Sequence, residues 1–391
     1  MAEQNGNAEN GAKRKRILTI LAVVVLAIAL IYGLYWALWG RYHITTEDAY
    51  VGGNVVAISP RVSGTVVTIN AEDTDRVNAG DVLVQLDDTD ARVALEKAKA
   101  NLAQAVRQVR QLYDQAEQLK ATVSLRQASY QQARRDYQRA EDLQKVRGIS
   151  TQDYQHAQTS LQTARAGYLE AKSQLAASQA AVGDTTLASH PQVMQAKSQL
   201  RQAWLTLQRT RIVAPVSGYV AQRGVQVGQQ VQPGNKLMAV VPLEQVWVDA
   251  NYKETELTNV RIGQPVELTA DLYGSDHTYH GTVAGLAAGT GNAFALLPAQ
   301  NATGNWIKVV QRIPVRIQLQ GDDLKDHPLR IGLSMEVTID TENRDGDRLA
   351  QSPVSGSRFS TPVYQPDDSG AQALIDSIIA ANRGDHDDAS D

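Results

Sequence analysis

No cysteine occurs in the 391 residues, which removes disulfides, thiolate metal sites and thiol nucleophiles together. Phenylalanine is nearly missing as well, with 2 in the chain and aromatic residues at 5% overall. So few large rings argue against several compact cores, and an elongated molecule is expected instead. A concentrated basic face is also lacking, which excludes a nucleic-acid partner because phosphate binding needs clustered cations. The net charge of -4 is local: Asp340 to Asp391 holds 11 acidic residues against 4 arginines, leaving 31 acidic and 34 basic residues before it. No Gly-x-Ser-x-Gly elbow, phosphate-binding loop or dinucleotide fingerprint occurs. His277 and His280, in Asp-His-Thr-Tyr-His, stand three apart on a strand-like run and so face opposite ways. Asp385-His386-Asp387-Asp388 reads as a solvated acidic terminus. Neither metal, cofactor nor catalysis is expected.

What is present begins with one long apolar run. Ile17 to Trp39 is 23 residues without a charge, enough at about 1.5 Å per residue to cross a hydrocarbon layer of roughly 30 Å. A cleaved signal peptide would have a shorter apolar stretch ending at small residues. Lys13, Arg14, Lys15 and Arg16 precede the run and only Arg41 follows closely, so residues 1–16 are expected in the cytoplasm and everything after Arg41 outside it. Tyr32, Tyr35, Trp36 and Trp39 crowd the outer end, where amphipathic rings sit among lipid headgroups.

The most informative feature is a repeat whose copies lie far apart. Pro60-Arg-Val-Ser-Gly64 is followed by Val77, Gly80 and Leu83; Pro215-Val-Ser-Gly218 is followed by Val231, Gly234 and Leu237. The offsets from the first glycine are 13, 16 and 19 residues in both copies. Short Val and Ile runs between Gly and Pro turns read as strands. Neither copy alone can bury its apolar face, so both should join in one small sandwich. The first half is placed at 44–88, lead-in strand included, and the second at 210–242.

The segment between them, 90–209, must leave and return to one place. Leu95, Leu102, Val109, Ala116, Val123, Tyr130 and Tyr137 recur every seven residues, with Ala98, Ala105, Leu112, Leu119, Arg126, Ala133 and Ala140 three residues after each. Tyr154, Leu161, Tyr168, Leu175 and Val182 form the returning row, accompanied by Ala157, Ala164, Ala171 and Ser178. This is the heptad signature of a coiled-coil hairpin. Its tip falls at Arg147-Gly148-Ile149-Ser150, with Gly ending one helix and Ser capping the next. Between Gly183 and Pro191 the pattern shifts by four residues, a stutter within one hairpin or else a second loop. After it, 243–340 alternates short strands and turns in the manner of a small β-barrel. The remainder, 341–391, reads as an acidic, largely disordered tail around a short amphipathic helix at Leu374, Ile375, Ile378 and Ile379. The fold class is thus α+β and elongated.

EDAYVGGNVVAISPRVSG at 47–64, RTRIVAPVSGYV at 209–220, WVDANYKETEL at 247–257 and GTGNAFALLPAQNATGNWIKVVQRIPVRI at 289–317 resemble the membrane fusion protein, or periplasmic adaptor, family in its HlyD and EmrA-type branch. In true lipoyl domains a hairpin lysine carries the cofactor, whereas Asp87-Asp88-Thr89-Asp90 stands at that exit here, so the resemblance implies no enzyme. It implies that the two repeat copies form a split lipoyl-like β-sandwich, joined by the hairpin and the barrel, in a homo-oligomer anchored in membrane lipid. Its partners would be a proton-driven inner-membrane drug transporter of the major facilitator superfamily and a TolC-like outer-membrane channel. Arg139, Leu143 and Ser150 match the spacing of the family's channel-docking tip motif. The nearest rival is an adaptor of an ATP-driven type I protein secretion system, placed second by the barrel motifs.

Overall fold

The computed structural model describes residues 7–36, 40–291, 293–294, 310–353, 355–365 and 367–383. Trp39, most of the 289–317 motif between 295 and 309, and Asp385 to Asp388 lie outside them. In chain order the elements are helix α1 (Asn7–Tyr35), strands β1 (His43–Gly52), β2 (Val56–Ile58), β3 (Gly64–Ile69), β4 (Arg76–Val77) and β5 (Val82–Leu86), then helices α2 (Thr89–Lys145), α3 (Thr151–Val182) and α4 (Pro191–Gln208). Strands β6 (Arg211–Val213), β7 (Gly218–Ala221), β8 (Gln230–Val231), β9 (Met238–Val241), β10 (Trp247–Lys253), β11 (Pro265–Ala270), β12 (Thr278–Leu286) and β13 (Arg312–Leu319) follow. The one-turn helix α5 (Asp323–Asp326), strand β14 (Ser334–Asp340) and helix α6 (Ser369–Arg383) complete the elements among the described residues.

Among the described residues α1 is the one helix long and apolar enough to cross a membrane, over Ile17–Tyr35, and its side chains there are exposed rather than packed on the body.

The two repeat copies interleave in the sandwich. One sheet has the order β2-β9-β7-β4 and the other β6-β5-β3-β8. Exchanging each strand for its equivalent in the other copy turns the first order into the second, so the domain has a pseudo-twofold axis. The equivalence reaches single residues. Leu83 and Leu237 are both core, Gly80 and Gly234 have φ of 95° and 92°, and Asp81 and Asn235 accept equivalent turn N–H groups from Asn78 and Gln232. Symmetry fails at one informative pair: Gly228 has φ of 83°, and its counterpart Thr74 is held at 80°, a conformation costly for a β-branched residue. Gly218 is required by crowding, because a Cβ there would lie 2.4 Å from the Val241 carbonyl oxygen.

The barrel is a closed six-strand ring, β1-β10-β13-β12-β11-β14. Its core includes Tyr252, whose hydroxyl donates to the Val337 carbonyl at 2.9 Å, together with Leu268, Ile317 and Ile339. This corrects the expected assignment of the lead-in strand to the sandwich: β1 pairs with β10 and β14 and closes the barrel. A register shift between Thr46 and Ala49 keeps Thr46, Ala49 and Val51 all inward, so the strand gives its buried face to the barrel. His277 and His280 serve separate contacts. His277 stacks on His327 with ring centroids 3.9 Å apart, while His280 Nδ1 lies 3.3 Å from the Asp323 carboxylate.

The largest correction concerns the tail. Expected disorder gives way to a strap that visits all three domains. At the barrel, Thr341 Oγ1 donates to the Tyr42 carbonyl at 2.7 Å and Gln264 Nε2 to the Asn343 carbonyl at 2.7 Å. At the sandwich, Thr361 Oγ1 donates to the Pro215 carbonyl at 2.6 Å, and the Arg61 guanidinium lies 4.1 Å from the centre of the Tyr364 ring. Helix α6 then docks on the hairpin base, where Ile375 is fully buried in one cluster with Leu102, Val106 and Leu200.

Candidate functional site

The hairpin dominates the molecule because its apolar rows keep register for its whole length. Helix α2 runs 57 residues without interruption, about 85 Å at 1.5 Å per residue. Every member of its two rows is at least half-buried except Arg126, the one residue that broke the pattern. Leu95, Leu102 and Val109 are deeply buried at the base, and burial thins toward the tip. There the seam is held by rings instead: Tyr130 stacks on Tyr168 at 5.9 Å, and the Tyr137 and Tyr154 hydroxyls share a 2.9 Å hydrogen bond. That bond, the largest influence, pushes the Tyr137 pKa up to about 12.

The fault in the returning arm is a loop, 183–190, between α3 and α4. Gly183 ends α3 with φ of 65°, and α4 begins at Pro191, which occupies the helix start where its missing N–H costs nothing. Buried His190 bridges the gap: its Nδ1 accepts from Gln192 N at 3.3 Å, leaving Nε2 to donate to the Ala181 carbonyl at 3.4 Å. From α2, the Tyr113 hydroxyl donates to the Thr185 carbonyl within the loop. Both α3 and α4 pack on the same unbroken α2, so the break interrupts one arm of a single hairpin and does not create another.

At the tip the helix ends at Lys145, and the left-handed residue is Arg147, with φ of 55°, in place of the expected Gly148. Gly148 N donates to the Leu143 carbonyl at 2.7 Å, closing the turn. Ser150 caps α3: its Oγ accepts from Asp153 N at 3.1 Å and donates to the Asp153 carboxylate at 2.6 Å. Arg139 is exposed and ion-paired with Asp136 one turn earlier. Leu143 is 46% exposed and Val146 74% exposed, so the outgoing helix ends in an apolar patch beside a guanidinium. Arg139 and Leu143 therefore share a stretch of open surface, whereas the Ser150 hydroxyl is already engaged within its own cap. Of the topology residues, all four lie in the first half of α1, and Arg14 is exposed.

Sequence reading missed the hairpin base as a site. Arg201 pairs with Asp368 at 3.2 Å, Arg107 Nη1 donates to Asn382 Oδ1 at 2.7 Å, and Gly370 sits so close to Trp204 that a Cβ would lie 2.9 Å from the indole. One signal was available. Val106 belongs to neither heptad row yet is fully buried, as a third helix requires.

Among the described residues no group of three His, Asp or Glu side chains could hold a metal ion. Residues 89–210 match the EmrA α-helical hairpin domain family, and residues 245–340 the AaeA-like β-barrel domain family. The multidrug export protein EmrA of Haemophilus influenzae is 47% identical over 96% of each chain. EmrA of Escherichia coli K12 is 47% identical, also over 96% of each. The fatty acid resistance protein FarA of Neisseria gonorrhoeae is 50% identical over 88% of this chain and 86% of its own. A solved structure of the periplasmic adaptor protein EmrA overlays 77% of this chain and 99% of its own, at 21% identity and a TM-score of 0.39. With near full-length identity to export proteins and both of its larger domains matched, the chain belongs to the EmrA-type membrane fusion proteins, the inner-membrane-anchored periplasmic adaptors of multidrug efflux.

Proposed function

We propose that this adaptor joins a proton-driven inner-membrane transporter of the major facilitator superfamily to a TolC-like outer-membrane channel, as a homo-oligomer, and exports hydrophobic toxic compounds. The observation that carries the reading is the hairpin: a 57-residue helix lifts an open apolar tip about 85 Å from a body tethered by one membrane helix. An exposed patch of this kind marks an interaction surface. Arg139 and Leu143 supply the contact, a charged donor beside an apolar anchor, and Ser150 holds the turn that presents them. The cation cluster in the first half of α1, ahead of its apolar run, keeps the N-terminus cytoplasmic. The chain itself performs no reaction, and the proton gradient acts on the transporter. The relatives' names, multidrug export and fatty acid resistance, support amphipathic toxic cargo.

The test is drug resistance and tip-to-channel crosslinking in Arg139→Asp and Leu143→Asp variants, with helicity checked by circular dichroism. A buried contact would lose a few kcal/mol, roughly 100-fold in docking. Full resistance and crosslinking in both variants would sink the docking assignment. An alkaline phosphatase fusion after Val56 should be active, and a stable inactive fusion would reverse the topology.

A further inference from the structure

We propose that the cleft roofed by the C-terminal strap, at the junction of the sandwich and the hairpin base, is a binding site for an amphipathic anion: a carboxylate or sulfonate carried on an apolar body. The inference concerns a property of this chain alone and does not depend on the efflux partners.

The cleft has a volume of about 580 Å³, inside the roughly 300–1,000 Å³ range of small-molecule sites. Trp204 and Leu205, from the last turns of α4, form one wall, and Ile212 and Val213 of β6 continue it. The roof is the strap at Val363 and Tyr364. Gly370 packs against the Trp204 indole at a distance that leaves no room for a side chain, so the aromatic wall is fixed by the first turn of α6.

The charge lining this surface is unbalanced. Arg61, Arg209 and Arg211 border the cleft, against one carboxylate, Asp367. That carboxylate is committed to starting α6: hydrogen bonds from the Ser369 hydroxyl first, and from Ser369 N–H at 3.1 Å second, lower its pKa. Four other arginines of the sandwich and hairpin base have acidic partners, Arg76 with Glu244, Arg92 with Asp88, Arg201 with Asp368 and Arg223 with Glu72, and Arg107 donates to Asn382 Oδ1. Among the described residues Arg209 and Arg211 make no ion pair, and Arg61 offers only its face, to Tyr364. Three like charges around one cleft repel, and an anion relieves the repulsion through charge-assisted, planar hydrogen bonds. A bare inorganic anion would leave the Trp204 and Leu205 wall wet. An uncharged apolar molecule would cover guanidinium groups without pairing them, which is costly. A ligand with one anionic end and an apolar body satisfies both surfaces. A bilayer headgroup is the less fitting source of that anion, because α1 leads straight into barrel strand β1 and the cleft lies a domain further along the chain.

The experiment uses the full chain in zwitterionic lipid nanodiscs, labelled with 5-fluorotryptophan and followed by fluorine NMR, with the Trp204 resonance assigned from Trp204→Phe. Dodecanoate is the probe, and dodecanol and dodecyltrimethylammonium are its controls. Trp36 and Trp39, beside the membrane, report partition into the disc. The expected result is a saturable Trp204 shift with dodecanoate alone, weakened about tenfold or more in an Arg209→Gln/Arg211→Gln variant whose remaining resonances are unchanged. Three outcomes overturn the proposal: no saturable Trp204 shift, an equal shift from the alcohol or the ammonium, or undiminished affinity in the double variant. A Trp204 shift produced by phosphatidylglycerol discs without dodecanoate would make the ligand a bilayer lipid, and would overturn the assignment equally.

Discussion

Replacing Ile375 by alanine tests whether α6 is a structural member of the hairpin base. The side chain is fully buried between α2 and α4, and truncating a buried isoleucine costs about 2–4 kcal/mol in lost transfer energy and residual cavity. Helix α6 is 15 residues at the end of the chain, so it can open while the hairpin stays closed. The cost should then appear as local opening. At 1.4 kcal/mol per tenfold, backbone amides of 371–382 should exchange about 30-fold to 1,000-fold faster, measured by hydrogen-exchange mass spectrometry. Ile375→Val, at about 0.5–1.5 kcal/mol, should give a two- to twelve-fold increase. Val106→Ala removes the opposite side of the same contact and should loosen α6 without separating α2 from α4. Unchanged exchange in Ile375→Ala would refute the docking, and equal acceleration throughout α2 would refute its local character.

Three further outcomes are expected. Thr74→Gly should stabilise the sandwich by about 1 kcal/mol, because glycine relieves left-handed strain of about 1–2 kcal/mol at a smaller entropic cost; Gly228→Thr should destabilise it, both read from urea midpoints. Tyr137 should titrate near pH 12 by tyrosinate absorbance, and Tyr154→Phe should return it toward 10. Its folded pKa is raised, so the stabilisation of the tip seam is fully present below pH 10 and is lost as pH rises through about 12. Ser150→Ala removes the α3 cap and should cost about 1 kcal/mol, seen as roughly fivefold faster exchange in the first turn of α3 with the rest of the hairpin unaffected.

Legibility in the sequence followed the range of the interactions. The hairpin was readable because each heptad position repeats its own evidence, and Arg126 announced itself as the one exposed member of its rows. The paired sandwich halves were readable because symmetry forces equivalent core positions such as Leu83 and Leu237 to recur at equal spacing. Strand β1 was misplaced because an alternating strand specifies an inward face and not which sheet receives it. The tail was misjudged for a related reason. Four apolar residues in an acidic run suffice for a helix only when a complementary groove exists, and that groove is built from Val106 and from base-row residues such as Leu102 and Leu200, which already had a role in the hairpin. Likewise nothing in the sequence singles out Arg209 and Arg211, which come to border a cleft only where the strap crosses the sandwich.

The interleaved sandwich also constrains the order in which the chain can fold. Residues 56–86 emerge first with strand edges that only 211–241 can cover, and between them lie more than a hundred residues whose random closure would be slow. Unpaired edges waiting that long invite association with neighbouring chains. The hairpin solves this by folding on local contacts: once α2 has its partners, β5 and β6, adjacent in the sheet, are delivered to one another from the two feet of a rigid rod. Mutations that slow zippering along the seam should therefore reduce the yield of assembled sandwich even where they leave the finished sandwich untouched.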